Sequence, residues 1–214
     1  MVKVTITYDN EVCRPGLLPD WGFSCLIEKE DGLKLLFDTG ADGYILLHNM
    51  AILALDPTSI DLIFISHSHY DHTGGLAGIS RLSKRAKVFV PDSCSRAITT
   101  KEVYRVVQPT QISDGIFSTG ELQNIEQSLI VNTDKGVVVI VGCSHPGLGQ
   151  ILNKASEFGE VCAVIGGLHG FRSFRLLTDL SLICPCHCTQ YKDRIKALFP
   201  EKYIECGVGR EIKI

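Results

Sequence analysis

Long hydrophobic runs are missing from this chain of 214 residues. Its apolar stretches, such as Gly136 to Cys143, fall far short of the ~20 residues that span a bilayer, which excludes a transmembrane helix. Blocks of like charge are missing as well. Lys and Arg number 21 against 24 Asp and Glu, for a net charge of −3 and a pI near 6.2, and no run of like charges points to nucleic acid as a partner. Repeats, low-complexity tracts, linkers and shifts in composition are also absent, so a single domain over residues 1–214 is expected. The opening Met1-Val-Lys-Val-Thr-Ile-Thr-Tyr8 alternates like a strand and has neither an apolar signal core nor a small-residue cleavage site, so a cytoplasmic protein without a membrane partner is expected. Hydrophobic residues at 45%, charged residues at 21% and a mean hydropathy of +0.16 exclude disordered and fibrous classes.

What is present begins with nine cysteines at irregular spacing from Cys13 to Cys206. An odd number leaves at least one thiol unpaired within the chain, and a reducing compartment fits best. Short runs rich in Val and Ile predict strands at 2–8, 23–29, 33–37, 60–66, 87–90, 103–107, 127–132, 136–142, 161–165, 181–186 and 202–206. Helices are predicted at 43–53, 75–84, 147–158, 171–179 and 191–198. Turn residues in Glu28-Lys-Glu-Asp-Gly32 and Asn132-Thr-Asp-Lys-Gly136 join hairpins, whereas the later part alternates strand and helix. Hairpins mixed with βα units predict an α/β layer architecture of stacked sheets covered by helices.

The histidines carry the chemistry. Six of the seven stand at or just beyond the end of an apolar strand-like run. Asp61-Leu-Ile-Phe-Ile-Ser66 leads into His67-Ser68-His69-Tyr70-Asp71-His72, and Gly136–Gly142 leads into Cys143-Ser144-His145. Val161–Gly167 leads to His169, and Leu182–Cys186 leads to His187. In open α/β sheets, ligands bind in the crevice at the carboxyl ends of strands, so these four segments can deliver side chains to one place. A shared divalent metal site follows from the residue types, since imidazole and carboxylate both ligate such ions. His67 and His69, two apart on extended chain, point the same way, while Asp71 and His72 begin a turn toward a second ion. His187 is the less certain ligand because period two would send Cys184, Cys186 and Cys188 to the opposite face, where they can form a separate thiolate site. His48 lies within a predicted helix and is expected to pack or face solvent. Cys143, beside a ligand, reads as a small buried hydrophobe.

The run His67-Ser-His69-Tyr-Asp71-His72-Thr-Gly-Gly-Leu76 resembles the signature of the metallo-β-lactamase fold superfamily. Asp38 in Leu36-Phe-Asp-Thr-Gly40 matches the motif whose aspartate supports the ligating histidines through their other ring nitrogen. The resemblance implies a four-layer αββα sandwich and two metal positions, one held by His67, His69 and His145 and the other by Asp71, His72 and His187. A narrower similarity spans nearly the whole chain. Asp9-Asn10, Asp20-Trp-Gly-Phe23, His48-Asn-Met50, Gly142-Cys-Ser-His-Pro-Gly147, Gly166-Gly-Leu-His169 and His187-Cys-Thr189 resemble the dihydropterin ribofuranosylaminobenzene 5′-phosphate synthase family, implicated in tetrahydromethanopterin biosynthesis. The chain departs from that family in a short Gly170–Cys186 segment and in Gln190, where a glycine is usual.

The superfamily often bridges its metals with an aspartate, and near that place this sequence offers His169. With Asp71 as the sole anionic ligand, two dications leave the pocket strongly positive, which calls for an anionic small molecule such as a phosphate or diphosphate. The expected reaction is therefore a transfer in which an arylamine displaces pyrophosphate from a dihydropterin diphosphate, with Asp71 and His169 as the catalytic residues and His169 contacting the anion or carrying a proton. A hydrolase of a phosphoester, lactone or thioester that uses metal-bound hydroxide is the alternative, and a metal-stabilised scaffold is a third. Zinc is the first choice by ligand type, with iron and manganese also compatible. Trp21 and Phe23 are candidates to stack on a pterin ring, and Arg172, with Arg175 nearby, is a candidate to hold a phosphate.

Overall fold

The computed structural model describes residues 1–94 and 102–214. Val- and Ile-rich segments form two mixed sheets. The first comprises β1 (Val2–Tyr8), β2 (Ser24–Lys29), β3 (Lys34–Phe37), β4 (Leu62–Phe64), β5 (Lys87–Pro91), β6 (Val103–Val106) and the late strand β13 (Glu211–Lys213), in the order β13-β1-β2-β3-β4-β5-β6. The second comprises β7 (Thr110–Ser113), β8 (Ile116–Ser118), β9 (Leu129–Thr133), β10 (Gly136–Val141), β11 (Val161–Gly167) and β12 (Leu182–Cys186), in the order β12-β11-β10-β9-β8-β7. Five α-helices accompany them among the described residues: α1 (Gly43–Ile52), α2 (Tyr70–Thr73), α3 (Leu76–Leu82), α4 (Leu148–Ala155) and α5 (Lys192–Leu198). Asp42 caps α1, its carboxylate accepting from the amide of Tyr44 at 2.6 Å.

Three buried clusters make four layers. Phe37 and Phe64 of the first sheet meet Val138, Ile140 and Ile165 of the second between the sheets. Leu46 and Met50 of α1 and Leu76 and Ile79 of α3 cover Leu36, Ile63 and Val88 on one outer face. Leu148 and Ile151 of α4 and Ile195 of α5 cover Val139, Val164 and Ile183 on the other. Each such fully buried side chain contributes about 1.5–3 kcal/mol, and the sheets thereby become a rigid base for the loops at their ends. This is the αββα sandwich that the resemblance implies.

The topology concentrates strand ends at one edge. β3, β4 and β5 run parallel, as do β10, β11 and β12. Because β2 is antiparallel to both β1 and β3, β1 ends on the same side as β3. Residues just after β1, β3, β4, β10, β11 and β12 therefore gather at the carboxyl edge, where α/β sheets bind ligands.

Several expectations need correction. The predicted strand at 202–206 reduces to an isolated bridge between Ile183 and Tyr203. The predicted helix at 171–179 is a 3-10 turn at Phe174–Leu177, closed by successive i to i+3 bonds such as Leu176 N–H to the Ser173 carbonyl at 2.9 Å. Strands β7, β8 and β13 and the short helix α2 were not expected; each spans only three or four residues, too few for a periodic pattern to register. Nor do the three clustered cysteines share a face. Cys184 and Cys186 face the core between the sheets, but His187 adopts φ +47° and breaks the alternation, which turns Cys188 away from them. Cys186 is bonded to Cys206 across a Cα–Cα distance of 5.3 Å, which removes it from any thiolate site. Among the described residues the other seven cysteines are free.

Candidate metal centre

Strand β4 ends two residues before the histidine run, and its extension places Ser66 and His67 buried at the carboxyl edge. His67, His69 and His145 present ring nitrogens within 4.8 Å of one another. Their rings approach edge to face, with centroids 4.6 Å apart for His67 and His69 and 4.8 Å for each of the other two pairs. The Ser66 hydroxyl lies 2.7 Å from Asp38 Oδ2, to which it donates, and 2.9 Å from His67 Nδ1. Its single proton is thus committed, so it accepts from His67 Nδ1–H and leaves Nε2 with a free lone pair. That Nε2 lies 3.1 Å from His69 Nδ1. His145 Nε2 is buried without a hydrogen-bond partner among the described residues.

A second group lies beside the first. Asp71, His72 and His187 also bring ligand atoms within 4.8 Å of one another. Asp71 and His72 lie in α2, whose first turn redirects the chain after His69. His72 Nδ1 is 2.7 Å from Asp38 Oδ2, and His187 Nδ1 is 3.0 Å from Asn10 Oδ1. Both contacts occupy the nitrogen facing away from the group and leave Nε2 facing inward. His187 Nε2 lies 3.1 Å from Asp71 Oδ2. The His187 amide donates to Asp9 Oδ1 at 2.7 Å, which holds the strained turn after β12.

The electrostatics favour neutral imidazoles and an ionised carboxylate. Burial holds His67 well below the usual histidine range, reinforced by the charges of His72, His69 and His145. Burial also lowers His72 and His145. Burial works to raise Asp71, yet the His187 hydrogen bond and the neighbouring His72 and His187 charges outweigh it and hold Asp71 low. Neutral imidazole and carboxylate are the ligating forms of these side chains. Together with the unpartnered His145 nitrogen, this donor chemistry fits one or two divalent ions.

Residues outside the ligand sets organise the site. Glu126 is fully buried, and its Oε1 accepts from the amides of Gly142, Cys143 and Ser144 at 3.1, 3.0 and 3.0 Å, while Oε2 accepts from His145 at 2.9 Å. Burial pushes its carboxyl up to about 7 against the pull of those amides. Ser66 and Asn10 fix imidazoles that the motif alone leaves free to rotate. Asn10 stands in a quoted motif and so carried a signal, whereas Glu126 sits in a featureless stretch and carried none. Asp38 joins the two groups, accepting from the Ser66 amide at 2.7 Å as well as contacting His72.

The remaining predicted residues separate into near and far. His169 is exposed, adopts φ +46°, and its ring centroid is 5.3 Å from that of His145. It lines an open pocket of about 380 Å³ together with His145, Leu148, Leu168 and Phe171. Trp21 is exposed with its ring centroid 4.7 Å from His187, at the mouth of the second group. Phe23 is buried in the core against Phe37, with centroids 6.1 Å apart, so it offers no face to a substrate; just before β2 the chain points this side chain inward. Arg172 is exposed, with its guanidinium hydrogen-bonded to the Tyr191 hydroxyl and 4.9 Å from that ring's centroid. His48 hydrogen-bonds the Gly16 carbonyl at 2.9 Å, the packing role expected of it. Cys143 is buried as expected, but its sulfur lies 3.2 Å from His72 Nε2 rather than among apolar neighbours. Its hydrogen bond to Cys188, followed by burial, raises Cys143, and the same bond lowers Cys188.

Comparison with known proteins agrees with this architecture. A family model described as a beta-lactamase superfamily domain matches residues 34–137. The chain is 29% identical, over 91% of each sequence, to the 7,8-dihydropterin-6-methyl-4-(beta-D-ribofuranosyl)-aminobenzene-5′-phosphate synthase of Methanocaldococcus jannaschii. It is similar, with a TM-score of 0.81 and 24% identity, to the crystal structure of a metal-dependent hydrolase of the beta-lactamase superfamily, with 100% of this chain and 99% of that one covered. A metallo-beta-lactamase fold protein of Bacillus subtilis superposes with a TM-score of 0.70 at 14% identity, covering 100% of both chains. This chain has the metallo-β-lactamase fold and resembles the dihydropterin ribofuranosylaminobenzene phosphate synthase family.

Proposed function

We propose that the chain is a metal-dependent transferase in which an arylamine displaces pyrophosphate from a dihydropterin diphosphate. The observation that carries this reading is the 29% identity to the named synthase across 91% of both chains, in a chain that places an open pocket beside His145 of the first group. His67, His69 and His145 would hold one divalent ion and Asp71, His72 and His187 the other. When bound, such ions stabilise charge developing on phosphate oxygens. Ser66, Asp38 and Asn10 keep the imidazole nitrogens aimed, so no side-chain reorganisation is needed when an anion enters. His169, on the pocket wall near His145, contacts the anion or carries the proton released by the attacking amine. Trp21 at the opposite side offers a face for a pterin ring.

The test mixes a dihydropterin-methyl diphosphate with an arylamine phosphate and measures pyrophosphate. Release that requires both substrates is expected, and release from the diphosphate alone in water would sink the transferase. A hydrolase is the second reading, favoured by the 0.81 TM-score to a metal-dependent hydrolase. Turnover of an activated phosphodiester without any amine would select it. His169→Ala is expected to keep its metal and lose most turnover; full turnover would dismiss the proton-carrying role.

A further inference from the structure

Cys143 lies between the two groups of ligands. Its sulfur belongs with His67 and His72 in one set of atoms within 4.8 Å of each other, and with His187 and Cys188 in another. It therefore neighbours a histidine from the first group and two from the second. It is 3% exposed, and its backbone is held by Glu126 through three consecutive amides, 142 to 144, with Ser144 at φ +59°. This is a built position on the short connection between β10 and His145.

The end of β11 cannot serve that position. The Gly167 amide bonds the Gly142 carbonyl at 3.1 Å, and a Cβ at Gly167 would come 2.7 Å from Cys188 Sγ and 3.3 Å from Cys143 Cα. The Gly142 carbonyl oxygen, 2.4 Å from that Cβ, and the Cys188 sulfur fill the space into which a side chain from that strand would project. His169, the next candidate along β11, is turned outward to the open pocket. The donors between the two groups therefore come from Cys143, with Cys188 behind it.

We propose that Cys143 is a metal ligand, its thiolate shared between the two ion positions and supplying the negative charge that the histidine-rich set lacks. With Cys143 ligating as the thiolate, Cys188 would become the S–H donor to it, the reverse of the metal-free arrangement, and is not itself a ligand. One thiolate there would lower the net charge of a two-ion centre by one, and sulfur is a soft donor suited to zinc. The inference rests on the metal-dependent reading above and deepens it.

Cobalt(II) loading of the full metal-free chain tests the assignment. Thiolate ligation produces an intense sulfur-to-cobalt charge-transfer band in the near ultraviolet, which histidine and carboxylate ligation does not. Two cobalt ions per chain and that band are expected in the parent protein. Cys143→Ser is expected to lose the band and to retain one ion, Cys143→Asp to regain the second ion without the band, and Cys188→Ser to keep both. Circular dichroism of each metal-free variant checks that it folds. A parent protein that binds two ions without the band overturns the ligand role while leaving the metal centre intact. A band that survives in Cys143→Ser, or two ions held there with unchanged affinity, overturns it equally. A parent chain that binds no cobalt removes the metal-dependent reading and this inference with it.

Discussion

Among the candidate ligands, His145 of the first group is positioned by different means from the two histidines of the second and from His67, whose ring Ser66 holds. His145 of the first group rides on a loop whose amides Glu126 gathers, so its placement is a backbone matter. His72 and His187 of the second are gripped at the ring by Asp38 and Asn10, a side-chain matter. Backbone control sets where a ligand starts but leaves its ring to find an ion, as the unpartnered His145 nitrogen illustrates. Ring control fixes tautomer and aim in advance. Both histidines of the second group are thus aimed in advance, whereas the first group keeps one adaptable ring, that of His145, beside the open pocket.

Removing the loop's anchor is the most drastic way to break this comparison. Glu126→Ala strips the acceptors from four amides, three buried and that of His145 part-buried, and a buried amide left without a partner costs about 1–3 kcal/mol. Water entering the space recovers part of that, so a loss of about 3 kcal/mol is expected in denaturant unfolding of the metal-free protein. The ion held by His145 should be lost with it. Unfolding that matches the parent would show that the loop holds itself in place and that the contrast is misdrawn.

Asp38 links both groups, through Ser66 on one side and His72 on the other. Asp38→Asn should weaken metal binding about 10–100-fold, measured by competition with a chromophoric chelator, and should weaken both ions. An effect on a single ion would deny the coupling between the halves. Among the candidate ligands Asn10→Ala reaches His187 alone and sharpens the contrast. About tenfold weaker binding of one ion, with the other unchanged, is the expected result of the same titration. Equal weakening of both would mean that the two positions do not act separately.

What was legible from residues alone follows the same division between local and distant causes. The convergence of His67, Asp71, His145 and His187 could be anticipated because each follows a Val- or Ile-rich run, and parallel strands bring such ends together. The turn residues of Glu28–Gly32 and Asn132–Gly136 likewise mark hairpins that the sheets contain. Glu126 could not be anticipated, since its four partners lie 16 to 19 residues away and no spacing connects them. Cys143 was read as a buried hydrophobe because burial of a cysteine is usually apolar, and only the fold shows the histidine nitrogen beside it. Phe23 failed as a stacking candidate for the converse reason. At a strand start the pattern cannot say which face is the core, and this one faces Phe37.

The smallest effect tests whether the second group also meets the substrate. Trp21 is 58% exposed and has no protein ring over its outer face other than its contact with His187 among the described residues. A stacked heteroaromatic ring gains about 0.5–1.5 kcal/mol on such a surface beyond area burial, so Trp21→Ala should raise KM for the pterin substrate by roughly two- to tenfold. Metal content and unfolding should match the parent, because the exposed indole supports neither the ligands nor the core. A fall in kcat with unchanged KM would instead make Trp21 a support for His187, and the ring-gripped group would then depend on a contact at the protein surface. If KM rises as expected, the preorganised half of the site is also the half that orients the organic part of the substrate, leaving the adaptable half and its open pocket to the departing anion.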